Sequence, residues 1–231
     1  MTAADRSVRA QLAGTVEQRQ TAVASPVELR SVPDGTGGSK VRISGYGSVT
    51  EVAYEMVDAY GSYDEVVARG AFKKTLSGNP PVVFLANHQG IALAATRAGT
   101  LRLSDDSTGL HFEADLDPAR PDVVTLRSAV ESGAANEASF AFRVPSGGQQ
   151  WDEEFEHRRI LECDLRGGDV SICNFGANGA TAGLASVTMR RKGVPEAAGR
   201  PRGPRPARIE MPPPYTTVAR ERLRLLRSHR P

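Results

Sequence analysis

The chain has 231 residues, of which 39% are hydrophobic and 24% are charged, a composition typical of a soluble globular protein. It contains no run of about 18 or more apolar residues, so the sequence predicts neither a membrane-spanning helix nor a membrane partner. The first residues lack the apolar stretch of a secretory signal, and we therefore expect an intracellular protein.

Residues that usually bind metals are sparse in this sequence. The two cysteines, Cys163 and Cys173, are expected to be buried apolar residues, because an intracellular chain with only two thiols seldom forms a disulfide. No pair of cysteines or histidines has the spacing of a zinc site, and no glycine-rich phosphate loop is present. The sequence therefore predicts no metal and no cofactor.

The net charge of +2 is unevenly distributed along the chain. Residues 190–231 contain twelve Lys or Arg against three Glu and are rich in proline and glycine, which predicts a basic, disordered tail. Residues 1–39 are polar and end in a glycine-rich stretch, which predicts a flexible N-terminal segment with at most a weak helix within residues 4–20. The remaining residues, 40–189, are predicted to form the folded domain.

Short segments that alternate polar and apolar residues, or that are wholly apolar, predict β-strands in most of the chain. The predicted strands, in chain order, are residues 27–30, 41–46, 82–85, 101–103, 110–116, 137–142, 158–165 and 169–175. Apolar residues at helical spacing predict two helices, one within residues 65–76 and one over residues 121–132, and residues 58–63 are typical of a loop. Many short strands between turn residues indicate an α+β fold, a mainly antiparallel β-barrel of about seven strands with flanking helices.

The predicted strand over residues 137–142 carries the first candidate for chemistry. Successive strand residues point to opposite faces, so Ser139 and Ala141 share one face while Phe140 and Phe142 share the other. If the phenylalanines pack into a core, Ser139 stands on a surface that a substrate carbonyl can approach. An ordinary strand serine fits the same pattern.

A serine nucleophile needs a base, and the base needs a third group that orients it. Among the four histidines, His88 is the candidate base, because it follows a predicted buried strand and precedes a polar residue and Gly90. A purely structural role for His88 stays open. The candidates for the third group are two acids on the last predicted strands, Asp169 and Glu162.

These residues lie in motifs that resemble the prohead (capsid maturation) proteases of tailed bacteriophages, a family related to the herpesvirus assemblin proteases. The matching motifs, in order, are residues 45–47 (GYG), 69–72 (RGAF), 85–88 (LANH), 106–110 (DSTGL) and 138–142 (ASFAF). Arg69 stands where the family usually has proline. Residues 169–176 (DVSICNFG) resemble a herpesvirus segment whose histidine is the third member of the catalytic triad. The resemblance covers about residues 27–185.

The resemblance implies a herpesvirus-protease-like barrel in which Ser139 is the nucleophile, His88 the base and Asp169 the third member, with Glu162 in reserve. The viral enzymes have arginines after the last glycine of that segment, where this chain has alanine and asparagine. Backbone amides in the region that follows the last strand are expected to bind the oxyanion instead. The residues of this oxyanion region are Gly176, Ala177 and Asn178.

The implied function is that of a serine endopeptidase in the host cytoplasm, inside the assembling procapsid. Its substrates would be the scaffold, the major capsid protein and the protease itself, whose N-terminal segment and tail are exposed candidates for self-cleavage. By analogy with the herpesvirus enzymes, a homodimer is expected. The main alternative is a non-catalytic capsid assembly protein on the same fold. Nucleic-acid binding through the tail and a cysteine peptidase built on Cys173 are weaker alternatives.

Overall fold

The computed structural model describes residues 2–12, 14–21, 27–174, 187–188 and 190–191, and this part of the chain consists mostly of β-strands. The strands are β1 (Val16–Thr21), β2 (Glu28–Pro33), β3 (Ser39–Val49), β4 (Tyr54–Asp58), β5 (Gly61–Val67), β6 (Val83–Ala86), β7 (Gln89–Ala95), β8 (Leu101–Asp105), β9 (Gly109–Leu116), β10 (Ala135–Arg143), β11 (Gln149–Trp151), β12 (His157–Ile160), β13 (Asp169–Asn174), β14 (Val187–Thr188) and β15 (Arg190–Arg191). The α-helices are α1 (Ala3–Arg6), α2 (Lys73–Ser77) and α3 (Pro121–Glu131), and two 3₁₀ segments span Ser7–Leu12 and Thr96–Ala98. None of these helices is long and apolar enough to cross a membrane.

The strands form three sheets, and within the described residues none of the sheets closes into a barrel. The strand orders are β14-β1-β10-β13-β6-β7, β11-β12-β5-β4-β15 and β2-β3-β9-β8. Most neighbouring strands are antiparallel, as predicted, but three pairs are parallel, namely β1 with β14, β5 with β12 and β6 with β13. The predicted mainly β fold with few helices is confirmed, but the closed or nearly closed barrel of about seven strands is wrong. Closure depends on pairing between strands that are distant in sequence, which no local pattern specifies.

Most predicted elements are confirmed, and the exceptions have local causes. The predicted loop over residues 58–63 is reduced to a two-residue turn, because Asp58 ends β4 and Gly61 begins β5. At this turn the Asp58 carboxylate accepts the Tyr60 N–H at 2.8 Å. Gly61 supplies a positive φ of 109° at this turn. The helix predicted within residues 65–76 is confirmed only for α2, because residues 65–67 continue β5. The strand predicted over residues 158–165 ends at Ile160.

Within the described part of the chain, seven observed strands were not predicted as strands: β1, β4, β5, β7, β11, β14 and β15. The most consequential is β1, which lies within the predicted flexible segment and pairs antiparallel with the edge of β10. All described residues belong to a single compact unit, Met1–Val194. The domain boundaries and the mobility of both termini stay predictions, and nearly all of the predicted tail lies outside the described residues.

One hydrophobic core receives side chains from all three sheets. Phe140 and Phe142 project from the same face of β10, as predicted, and their rings stack with centroids 4.6 Å apart. Phe72, just before α2, meets Phe140 edge-on at 5.5 Å. All three rings are essentially inaccessible to solvent, so the strand that carries Ser139 is held by a rigid aromatic support.

Candidate active site

Three neighbouring strands of the six-stranded sheet, β10, β13 and β6, bring the predicted site residues together. Ser139 on β10 lies directly opposite Ser171 on β13, so these two side chains share one face of the sheet. Asp169 lies two residues before Ser171 and therefore points to that same face. Phe140 and Val170 point to the opposite face, into the core. Alternate residues of β10 and β13 therefore place the polar site residues on one face of the sheet and the core residues on the other.

His88 reaches this face from a two-residue turn between β6 and β7. Asn87 and His88 both have positive φ, 52° and 56°, and the flanking residues Ala86 and Gln89 are paired. Two successive left-handed residues are the signature of a type I′ hairpin turn, in which asparagine is favoured at the first position. Asn87 also fixes the turn to β13: its N–H donates to the Ile172 carbonyl at 2.9 Å, and its side-chain oxygen accepts the Asn174 N–H at 3.0 Å.

A continuous chain of hydrogen bonds connects the three residues. His88 Nδ1 lies 2.6 Å from Asp169 Oδ1, and His88 Nε2 lies 2.6 Å from Ser139 Oγ. An ionised Asp169 accepts the proton of Nδ1, which leaves Nε2 as the acceptor for the serine hydroxyl. The imidazole is therefore held in the tautomer that a general base toward Ser139 requires.

Ser171 is a fourth polar residue of the site, and sequence reasoning missed it. Its hydroxyl donates to Asp169 Oδ1 at 2.6 Å and accepts the backbone N–H of His88 at 3.1 Å. One side chain thus orients both the carboxylate and the turn that carries the imidazole. Its position two residues after Asp169 on a strand was the available signal, because such residues share a face.

Ser139 is more enclosed than the sequence suggests, with only 1% of its surface exposed. The expectation of an open surface around Ser139 is therefore wrong for this structure. The reason is β1, which pairs along β10 so that Gln20 lies opposite Ser139. The Ser139 hydroxyl also lies 2.9 Å from the carbonyl oxygen of Arg19 and can donate to it. Its single proton consequently has two acceptors, this carbonyl and His88 Nε2.

The reserve candidate for the third position lies elsewhere. The Glu162 carboxylate binds Lys74, with Nζ 2.8 Å from Oε1, and in the described part of the structure it forms no hydrogen bond or ion pair with His88. The predicted oxyanion region, Gly176, Ala177 and Asn178, lies outside the described residues. The geometry therefore favours Asp169 over Glu162 as the partner of the imidazole and leaves the oxyanion region a prediction.

Cys173 lies close to the site but is poorly suited to chemistry. Burial, followed by the nearby carboxylates of Asp169 and Glu137, raises the pKa of its thiol to about 12. A thiol with such a pKa is almost entirely protonated at neutral pH, and only the thiolate is a good nucleophile. Both cysteines are free and buried, as predicted. Among the described residues, no group of His, Cys, Asp and Glu has the arrangement of a metal site.

The chain is similar in sequence to one known protein family and in fold to one solved structure described below. A sequence model of the family described as caudovirus prohead serine protease matches residues 25–192, more than half of the chain. The solved structure of the bacteriophage T4 capsid assembly protease, gp21, is 13% identical to this chain with a TM-score of 0.45, over 68% of this chain and 98% of that one. No curated protein matches the chain. On the extent of the family match, the chain belongs to the caudovirus prohead serine protease family.

Proposed function

We propose that the chain is a serine endopeptidase in which Ser139 is the nucleophile, His88 the general base and Asp169 the group that orients His88. The observation that carries this proposal is the chain of two 2.6 Å contacts from Asp169 through His88 to Ser139. Membership of a peptidase family supports the same reading. Ser171 acts as a positioning residue, because it binds both Asp169 and the backbone of His88.

The reaction proceeds in two halves. His88 Nε2 removes the hydroxyl proton while Ser139 Oγ attacks the peptide carbonyl, and the protonated imidazole then gives its proton to the leaving amine. Asp169 stabilises the imidazolium that forms between these steps. Water, activated by the same histidine, hydrolyses the acyl-enzyme and regenerates Ser139. We assign the oxyanion-binding role to backbone amides of residues 176–178, which follow the strand that carries Asp169.

The family description implies a setting in the assembling procapsid of the infected cell. The substrates we propose are the scaffold, the major capsid protein and the protease itself, and the active form would be a homodimer. The basic residues of the tail suit an acidic protein partner inside the procapsid. Nucleic acid is the weaker candidate, because Tyr215 is the only aromatic residue in residues 190–231.

The test is to co-express the cognate capsid protein with the wild-type chain or with Ser139→Ala and to measure the products by intact mass. We expect the wild type to shorten the capsid protein or itself, and Ser139→Ala to leave both intact. Ser104→Ala is the matched control, since Ser104 is exposed on β8, which belongs to a different sheet from β10, β13 and β6. Asp169→Ala and Glu162→Ala then distinguish the two candidates for the third member.

Equal processing by the wild type and Ser139→Ala would show that Ser139 is structural and that another enzyme cuts. An absence of processing with both, in complete assembling procapsids, would favour the non-catalytic assembly protein. Loss of processing with Glu162→Ala but not with Asp169→Ala would overturn the assignment of the third member.

A further inference from the structure

The strand β1 is attached to the fold in an unusual way. Among the residues before Val27 whose side chains the structure describes, none belongs to the hydrophobic core, and Val16, the one large apolar residue of β1, is 44% exposed. The strand is held instead by backbone pairing, antiparallel to β10 on one side and parallel to β14 on the other. Strand addition to a sheet edge, with pockets for alternate side chains, is a common mode of peptide recognition. The family match also begins only at residue 25, after β1.

Two alternate side chains of β1 enter a buried charged cluster. Arg19 donates to the Glu65 carboxylate through Nε at 2.6 Å and Nη2 at 2.9 Å, in the two-pronged geometry that guanidinium and carboxylate favour. Glu65 has no exposed surface and also accepts the Tyr54 hydroxyl. Two residues earlier, Glu17 binds Arg158 through both of its oxygens, at 2.6 and 2.8 Å.

The cluster contains two acids and two arginines, and half of these charges belong to β1. Glu65 and Arg158 belong to the second sheet, on β5 and β12, and contact one another at 2.8 Å. Without β1, Glu65 keeps Arg158 and Tyr54 but loses the guanidinium that faces it most directly. A buried carboxylate that has lost a charged partner is costly, so this pocket has a strong preference for an arginine side chain.

The position of the Arg19 carbonyl connects this pocket to the catalytic residues. Its oxygen lies 2.9 Å from Ser139 Oγ, and the same hydroxyl lies 2.6 Å from His88 Nε2. A residue that fills the Glu65 pocket therefore presents its own carbonyl beside the nucleophile. The peptide bond at that carbonyl joins Arg19 to Gln20.

We propose that β1 lies where a substrate strand binds, and that Glu65 and Arg158 select extended peptides of the form Glu-x-Arg, with cleavage after the arginine. This inference rests on the proposed peptidase function and adds the substrate class to it. The chain's own residues 17–19 (EQR) have this form, so the first substrate is the N-terminal segment itself. Until the segment is cut, it blocks access to Ser139.

Cleavage of this segment requires no additional reactant except water. Ser139 Oγ forms a bond to the Arg19 carbonyl carbon while its proton moves to His88 Nε2. The bond from that carbon to the Gln20 nitrogen breaks, and His88 returns the proton to the new amine. Water then hydrolyses the ester, which releases residues 1–19 with a free carboxylate and restores the Ser139 hydroxyl.

The first experiment incubates the full wild-type chain with synthetic copies of residues 14–24 and identifies the products by mass spectrometry. We expect one cut, between the copies of Arg19 and Gln20. The Arg19→Ala peptide should react about 100-fold more slowly, because a site built to bind a charged group rejects a ligand that lacks it. The Arg19→Lys peptide should be intermediate, since lysine offers one point charge in place of a planar fork. Ser139→Ala should cut none of the peptides.

The second experiment measures the intact mass of the chain after storage. The wild type should lose residues 1–19, and Arg19→Ala should not. Arg30→Ala is the matched control, because Arg30 is an exposed strand arginine whose side chain pairs only with Glu28 among the described residues, and it should be cut like the wild type. The peptide series does not depend on whether the Arg19→Ala chain folds.

The outcomes separate this inference from the function on which it rests. Cleavage that depends on Ser139 but shows no preference for arginine would overturn the inference and leave the peptidase function intact. Cleavage after arginine that is unaffected by Ser139→Ala would assign the activity to a contaminating protease and overturn both. An absence of cleavage in every peptide and in the chain itself would also overturn both.

Discussion

The buried carboxylate of Glu65 makes a quantitative prediction about stability and pH. Burial by itself would raise its pKa, but the charge and hydrogen bonds of Arg19, together with Arg158 and Tyr54, outweigh burial and lower the pKa from 4.5 to about 2. Because the folded state binds this proton less tightly than the unfolded state, ionised Glu65 stabilises the fold above about pH 4.5. That stabilisation is lost as the pH falls toward 2.

The size of the effect follows from the pKa shift. A shift of one pKa unit corresponds to about 1.4 kcal/mol, so Glu65 contributes about 3 kcal/mol at neutral pH. Glu65→Gln keeps the shape of the side chain but leaves Arg19 and Arg158 to share the carboxylate of Glu17. We therefore expect this variant to lose about 3 kcal/mol of unfolding free energy near pH 7. Near pH 2, Glu65 is protonated in nearly all unfolded molecules and in about half of the folded molecules. The stability difference between the wild type and Glu65→Gln should therefore shrink below about 1 kcal/mol at that pH.

The assay is urea unfolding, followed by circular dichroism, between about pH 7 and about pH 2. Both chains carry Ser139→Ala, so that self-cleavage does not complicate the comparison. Glu153→Gln is the control for the loss of a carboxylate, because Glu153 is exposed. A stability difference that stays constant across this pH range, or a Glu65→Gln chain as stable as the control, would refute the assigned role of the buried cluster.

Three further predictions concern the site and its support. Asp169→Asn should lower kcat by about 10⁴-fold with an unchanged circular dichroism spectrum, because asparagine favours the wrong imidazole tautomer; an unaffected rate would remove Asp169 from the mechanism. Gly168→Ala should destabilise the fold strongly, since a Cβ there would lie 2.1 Å from the Ala141 carbonyl oxygen. Gly167→Ala places its Cβ in open space and should cost only about 1 kcal/mol, for the positive φ of 68°. Equal decreases in melting temperature for the two variants would contradict this reasoning. Cys163 and Cys173 of the native protein should resist alkylation near pH 8, because burial raises the pKa of both thiols, and the treated protein should keep its activity. Inactivation by a thiol reagent would instead support a cysteine peptidase built on Cys173.

Much of the candidate site was predictable from the sequence, for identifiable reasons. The apolar run before His88 predicts a buried strand, and the alternation around Ser139 predicts a strand with one apolar face. Both predictions depend only on residues that are neighbours in the sequence. The order of the short motifs indicated the family. Ser171 and the turn residue Asn87 were missed because their importance lies in contacts with other strands, which are invisible in a single segment.

The consecutive glycines before β13 illustrate the same limit. Their presence in the sequence indicated only a break between strands. In the structure Gly167 adopts a left-handed conformation, and Gly168 passes so close to β10 that no side chain fits. This close passage brings the start of β13, and with it Asp169, beside the strand that carries Ser139.

By itself, the sequence determined the three strands that carry the site (β6, β10 and β13), the apolar face of β10 and the residue types available for peptide chemistry, because these properties follow from local periodicity and composition. Only the tertiary structure decided that the sheets do not close, that Asp169 rather than Glu162 meets His88, and that β1 covers Ser139. Strand pairing and buried ion pairs join residues far apart in the chain, as Arg19 and Glu65 show. Their energies depend on distances that exist only after the chain has folded.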